Sequence, residues 1–321
     1  MTDSGARTID EMGEAQNQRA TEHRGNRVAT QAAHVVDARS DARLAYRERV
    51  SPRERHEREL TLLAVTVIGL SRLLEGPLLW VVAALVLAAI ALGTRQVLAE
   101  GAAGYAPVPF EASILPAVLG ASAVGGLRLI PLGLAVVPAL VLVWLLLDAA
   151  GRLEARVYDR PSGITGEDRT AILVVGLVAA FMAFAGVASM VAGGLADPGN
   201  GGQGGPAISE AGIVTVAIGD GLVAGLIGYR LGAARLTGAR VALWAAATYA
   251  GAIAISAGLL RAIAMPRLAF PALLTLVFYL WDTLRGTAPS LRRDPRFVWQ
   301  SVLLVALGVA VVAWNLGLRG S

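Results

Sequence analysis

From residue 60 onward the chain is a succession of apolar runs broken by short connections, and most connections carry arginine. Runs of this length, nearly free of charge, are solvated by hydrocarbon rather than folded into a water-soluble core. The expected spans are 60–74, 77–93, 112–127, 129–148, 171–195, 211–229, 241–260, 268–283 and 298–317. The first is short, about 22 Å by helical rise, and Gly76-Pro77 separates it from the second. Composition agrees, with 55% of 321 residues hydrophobic and 16% charged, where a soluble domain carries about a quarter. The fold class this implies is all-α: a polytopic transmembrane helix bundle of about nine spans over residues 51–321.

Arginine placement sets the expected orientation, because basic residues concentrate on the cytoplasmic side of a membrane protein. All 28 basic residues are arginine, and lysine is absent. With nine crossings and a cytoplasmic N-terminus, only Arg72, Arg128, Arg261, Arg267 and Arg319 fall on the outer side. Treating 60–93 as one crossing would strand either the N-terminal tail or the later arginine clusters outside. Two crossings are therefore expected there, in a bacterial cytoplasmic membrane.

Residues 1–50 form a polar tail with too few apolar side chains to bury a core, expected to be disordered. Eleven arginines balance eleven acids over residues 1–59, so no strong polybasic lipid anchor is built there. A cytoplasmic protein partner for the tail is the expected exception to its being merely solvated. Ser51-Pro52-Arg53-Glu54 reads as a capping box with proline at the first helical position, running into the first span. The opening thirty residues lack the apolar core of a secretory signal, so insertion is expected through that first span.

Residue types missing from the chain exclude much chemistry. Without lysine there is no P-loop lysine, Schiff base or serine–lysine dyad. Cysteine is absent and the three histidines, His23, His34 and His56, all precede the first apolar run. Thiolate metal sites, thiol catalysis and an intramembrane Ser-His-Asp triad are thereby excluded. No cofactor is expected. The net charge of +4 follows topology and implies no nucleic-acid partner. The glycine-rich run Gly199 to Pro206 has no lysine to complete a phosphate cradle and reads as a flexible extracytoplasmic linker.

Two stretches resemble each other at an offset of about 133 to 135 residues: Ser122 to Arg128 with Ser256 to Arg261, Asp148 with Asp282, and Asp159 with Asp294. An even number of helices intervenes, so the pattern implies a parallel 4+4 repeat plus an extra N-terminal helix.

Asp220 is the candidate functional residue. It sits near the middle of the sixth span between Gly219 and Gly221, where a carboxylate costs about 2.5–3.5 kcal/mol on insertion scales. No arginine is expected at its depth, so a neutral, protonated carboxyl facing the bundle interior is the reading. Ser189, Thr248, Tyr249 and Asn315 are the expected hydrogen-bond partners. Asp148 with Arg152, and Asp282 with Arg285, are expected as local ion pairs. Gly186 and Gly193 in the fifth span, and Gly221, Gly225 and Gly228 in the sixth, are expected to let helices approach closely.

Ala217-Ile218-Gly219-Asp220 resembles the Gly-x-Gly-Asp motif of the intramembrane aspartyl proteases, and Tyr158-Asp159 resembles their Tyr-Asp motif. The resemblance covers six residues and implies two aspartates sharing a proton. Ala217 replaces the first glycine, however, and Asp159 falls in a connection while Asp220 lies at mid-span. The two carboxyls are expected to be too far apart for that chemistry. Two function classes remain in play: a non-enzymatic structural or assembly component, and a small-solute or ion transporter using Asp220 as an intramembrane proton or cation site.

Overall fold

The computed structural model describes residues 52–101, 108–131, 133–160, 163–194, 208–236, 238–263, 268–287 and 290–317. The chain divides into two units, Met1–Arg55 and His56–Ser321. The polar tail, the Ser51 cap, the glycine-rich linker, Arg267 and Arg319 lie outside the described residues. Those described form nine α-helices and no strand. They are α1 (Pro52–Leu70), α2 (Leu78–Gly101), α3 (Ile114–Gly126), α4 (Val136–Tyr158), α5 (Gly166–Met190), α6 (Glu210–Arg235), α7 (Ala239–Ala262), α8 (Ala269–Gly286) and α9 (Pro295–Gly317).

Seven of the nine, counting α3 with its flanking 3₁₀ turns, are long and apolar enough to cross a membrane, so the chain is a multi-pass membrane protein. The other two were expected as spans but fall short for different reasons. Arg53 to Glu59 fill the first two turns of α1 with charge, leaving about 16 Å of apolar helix from Leu60 to Leu70. The 18-residue α8 carries Asp282 and Arg285 in its last two turns.

Residues 60–93 do turn back on themselves. A 3₁₀ turn at Ser71–Leu73 ends α1, and Gly76 adopts φ 65° before α2 begins, a backbone conformation that costs glycine little. His56 Nδ1 then lies 2.6 Å from Glu100 Oε2, so the hairpin closes with both ends at one level. At the opposite end Arg128 Nη1 donates to Leu74 O at 2.8 Å, and Arg72 donates to Ile130 O. These reciprocal bonds tie the α1–α2 turn to the α3–α4 turn. Burial and the neighbouring Arg128 cation hold the Arg72 guanidinium below its ordinary pKa.

The helix ends depart from the apolar runs in a consistent way. The run expected at 129–148 becomes a helix from Val136 to Tyr158. Pro131 and Gly133 keep the chain out of the helix at its start, while Asp148 and Arg152 pair at 2.6 Å beyond its apolar stretch, one turn apart as expected. The helix expected from 171 starts at Gly166, because Thr165 and Asp168 form a complete capping box. Ser209 caps α6 by accepting from Gly212 N at 3.1 Å.

The core centres on α3 and α5. Of the spanning helices α3 is the most enclosed and α9 the least, with none of α9's apolar window buried. Helices α3 and α5 cross at glycines: a Cβ on Gly125 would stand 2.3 Å from Gly186 O. The closest packing is α6 against α7. There Gly221, Gly225, Gly228 and Gly232 face Ala254, Ala250, Tyr249 and Ala242, the small-residue seam that membrane helices use to bring backbones together. Gly193, expected to pack within a helix, instead lies beyond the end of α5 with φ 74°.

The two halves implied by the sequence offset pack unequally. Helix α3 rests closely on α5, but their counterparts α7 and α9 do not pack closely on each other. Asp148 pairs within its own helix, whereas Asp282 pairs across helices.

Candidate functional site: buried charges at two levels of the bundle

Seven charged side chains are buried among the described residues: Asp148, Glu154, Asp168, Asp220, Arg230, Arg261 and Asp282. They fall into two levels, and the contrast between the levels defines the site.

At the arginine-rich end the charges are fully partnered. Arg230 of α6 donates from Nε to Glu154 Oε1 at 2.8 Å and from Nη2 to Oε2 at 2.7 Å. The planar fork of a guanidinium matches a carboxylate in this two-pronged way. Helices α4 and α6 do not pack closely on each other, so this buried pair spans the gap between them. Arg235 grips Asp282 of α8 in the same manner, with both bonds at 2.8 Å. The Tyr249 hydroxyl of α7 adds a third bond to Asp282 Oδ1 at 2.6 Å. The expected Asp282–Arg285 pair is thus replaced: Asp282 turns inward to α6 and α7, and Arg285 donates instead to Thr248 Oγ1 at 2.6 Å. Arg160 joins Asp168 at the α5 cap.

Toward the other end of α6 the arrangement differs. Asp220 is fully buried, and neither carboxyl oxygen has a hydrogen-bond partner. Three of the four expected partners are engaged elsewhere. Ser189 Oγ lies 2.7 Å from Gly125 O and 2.6 Å from Gly186 O. Thr248 donates to Ala245 O at 2.7 Å, Tyr249 binds Asp282, and the Asn315 side chain is outside the described residues. An arginine is buried toward the same end of the bundle, contrary to expectation, though outside ion-pair distance of Asp220. Arg261 starts near the end of α7, but its side chain is buried. Its guanidinium carbon sits 3.7 Å above the Phe270 ring of α8, a cation–π contact. Nε and Nη2 of Arg261 have no hydrogen-bond partner.

Sequence position alone hid Arg261, because an arginine at a span end reads as a topology marker when its side chain can equally reach several ångströms back into the bundle. Glu154–Arg230 was missed for a related reason. Both residues lie past the apolar runs, where charge is expected to be solvated. The usable signal was Arg230 itself, set between Tyr229 and Leu231 one turn before Ala234 on a continuing small-residue face.

Asp159 and Asp220 are not brought together. Asp159 follows the end of α4, more than a turn beyond Glu154, which pairs with Arg230, and Asp220 lies about 15 Å along α6 from Arg230 by helical rise. A shared proton between them is ruled out by that separation.

A cavity of about 780 Å³ opens at the arginine-rich end between α5, α6, α7 and α8. Arg169, Arg235, Arg285, Asp282 and Tyr249 line it, and Asp220 does not. Tyr249 also packs on Phe278, ring centres 5.1 Å apart, between the cavity and the level of Asp220. Among the described residues no cluster of three potential metal ligands is present.

No family model, curated protein or solved structure matches this chain.

Proposed function

We propose that this multi-pass membrane protein is a proton-coupled transporter of a small solute, with Asp220 as the proton-carrying carboxyl and Arg261 as its counter-charge. The observation that supports this is the unused hydrogen-bonding capacity of the two groups: both oxygens of Asp220 and two nitrogens of Arg261 are buried and unpartnered. Elsewhere in the bundle the buried acids are held by arginine, Glu154 and Asp282 by two-pronged bonds and Asp148 and Asp168 by single contacts. A purely structural acid at this depth would be expected to find the same satisfaction, since an unmade buried bond costs about 1–3 kcal/mol.

Two arrangements of the pair are open, differing by the one charge that the proton carries. With Asp220 protonated, the cation of Arg261 rests on the face of Phe270. With Asp220 ionised, Arg261 can leave the ring and form the ion pair. A proton arriving at or leaving Asp220 Oδ therefore biases the position of a side chain that links α7 to α8. The nearby guanidinium already supplies a positive charge, which favours a proton over a metal cation as the carried species. The Tyr249–Phe278 contact would act as the closed gate between the cavity and this pair. The arginine-rich end would face the cytoplasm of a bacterial cell.

Infrared difference spectroscopy of the reconstituted protein after a pH jump tests the reading without knowledge of the solute. A protonated-carboxyl band that responds to external pH, and that vanishes in Asp220→Asn, is the expected result. A band that stays unchanged across the accessible pH range would leave Asp220 as a static packing element and end the transport reading.

An assembly component is the second reading, favoured by the sealed surroundings of Asp220 and by α9. That helix leaves its apolar window exposed, and an apolar groove of about 350 Å³ runs between it, α7 and α8. In this reading residues 1–50 would reach a cytoplasmic partner. Retention of a copurifying complex by the full chain, and its loss on deleting 1–50, would support it over transport.

A further inference from the structure

We infer that the cavity between α5, α6, α7 and α8 is a binding site for the phosphate of an anionic phospholipid headgroup. The inference stands apart from the transport reading, because it uses neither Asp220 nor Arg261.

The charge on the cavity wall is the first argument. Three arginines, Arg169, Arg235 and Arg285, line it against one acid, Asp282. Asp282 is saturated by Arg235 and Tyr249, so it neutralises one cation only. Arg285 has a neutral partner, the Thr248 hydroxyl, and Arg169 has no ionic partner among the described residues. Two guanidinium charges on one wall are left for a ligand, and guanidinium forks suit phosphate oxygens.

Depth and lining choose the kind of phosphate. Arg169 is in the first turn of α5, Arg235 ends α6 and Arg285 is the penultimate residue of α8. These helix ends mark headgroup depth in a spanning bundle. The same cavity is walled by Leu173 and by Trp244, the latter 67% exposed. An indole at this level sits where headgroup meets acyl chain. Basic pockets between spanning helices are the usual seats of anionic headgroups, and the volume of about 780 Å³ falls in the range of small-ligand sites.

Trp244 on the wall supplies the readout, taken as the difference in quenching between the chain and its Trp244→Phe variant, since five other tryptophans are present. The purified full-length protein is titrated with phosphatidylglycerol and with phosphatidylcholine, each brominated on its acyl chains, and tryptophan quenching is followed. Phosphatidylglycerol should quench at concentrations lower by about tenfold or more, given roughly 1 kcal/mol for each arginine at the membrane surface. The double variant Arg169→Gln, Arg285→Gln should bring the two lipids to parity, with Arg235 left in place to hold Asp282. Arg169→Lys, Arg285→Lys should keep most of the preference, which separates a lost charge from a disturbed fold. Inorganic phosphate forms the third arm. If it protects the cavity from an arginine-modifying dicarbonyl while the lipid preference is absent, the phosphate chemistry holds and its source is a soluble anion. Equal quenching by both lipids together with no protection by phosphate would overturn the inference.

Discussion

Arg230 and Glu154 meet through two charge-assisted hydrogen bonds of 2.8 and 2.7 Å between helices that do not otherwise pack closely. Both side chains are buried, at 3% and 0% exposure. The pair therefore works as a polar strut whose two ends depend on each other for solvation.

Removing one end should be far worse than removing both. Glu154→Gln leaves the buried Arg230 cation without its counter-charge, a change expected to cost about 3–5 kcal/mol. Glu154→Leu combined with Arg230→Met replaces the strut by apolar contact and should recover most of that loss. Thermal unfolding of the purified variants in detergent measures both. A double variant no more stable than the single would show that the strut contributes more than mutual neutralisation.

The α6–α7 seam makes a contrast between two glycines. A Cβ on Gly228 would stand 2.6–2.8 Å from the ring and Cβ of Tyr249, atoms near the backbone that cannot swing aside. Gly228→Ala should displace Tyr249, loosen its bond to Asp282 and destabilise by about 1–3 kcal/mol. Gly251 of α7 has nothing within 4 Å of its Cβ position. Gly251→Ala should therefore be neutral, or stabilising by up to about 1 kcal/mol from helix propensity alone. Similar stability of the two variants would mean the seam is looser than drawn.

The chain has no cysteine, so single cysteines report topology without background. Glu167→Cys and Ser290→Cys should react with an impermeant maleimide from one side of sealed vesicles. Glu75→Cys and Leu134→Cys, the latter at a residue 91% exposed, should react only from the other. Labelling of positions 75 and 167 from the same side would contradict the pairing of helix ends seen at Arg128–Leu74 and Arg230–Glu154.

Much of the architecture is legible in the apolar runs because burial in lipid acts on each segment separately. Among the described residues nine helices stand where the sequence has nine apolar runs, and the hairpin of 60–93 follows from the Gly76-Pro77 break and arginine counting. Helix ends were less legible. Charged residues continue a helix when they pair one turn apart, as Asp148 and Arg152 do, and a capping box such as Thr165–Asp168 starts one before apolarity begins. The site was legible only in part. Asp220 stood out because a mid-span acid has few explanations, and the glycine seam beside it follows from the same small-residue logic. Its neighbour Arg261 did not stand out. Which way a long side chain at a helix end leans depends on what the next helix offers it, here the ring of Phe270. The expected pairing of Asp282 failed for the same reason, since its inter-helix partners lie 33 and 47 residues away.

The meeting of Gly125 and Gly186 has a consequence for motion. Where two backbones touch with no side chain between them, neither helix can roll without driving a neighbouring Cβ into the other's carbonyl. The crossing is thus a fulcrum: α3 and α5 can tilt about it but not slip or spin. A change of shape that kept this contact would leave that point still, with the swing growing toward the two faces of the membrane.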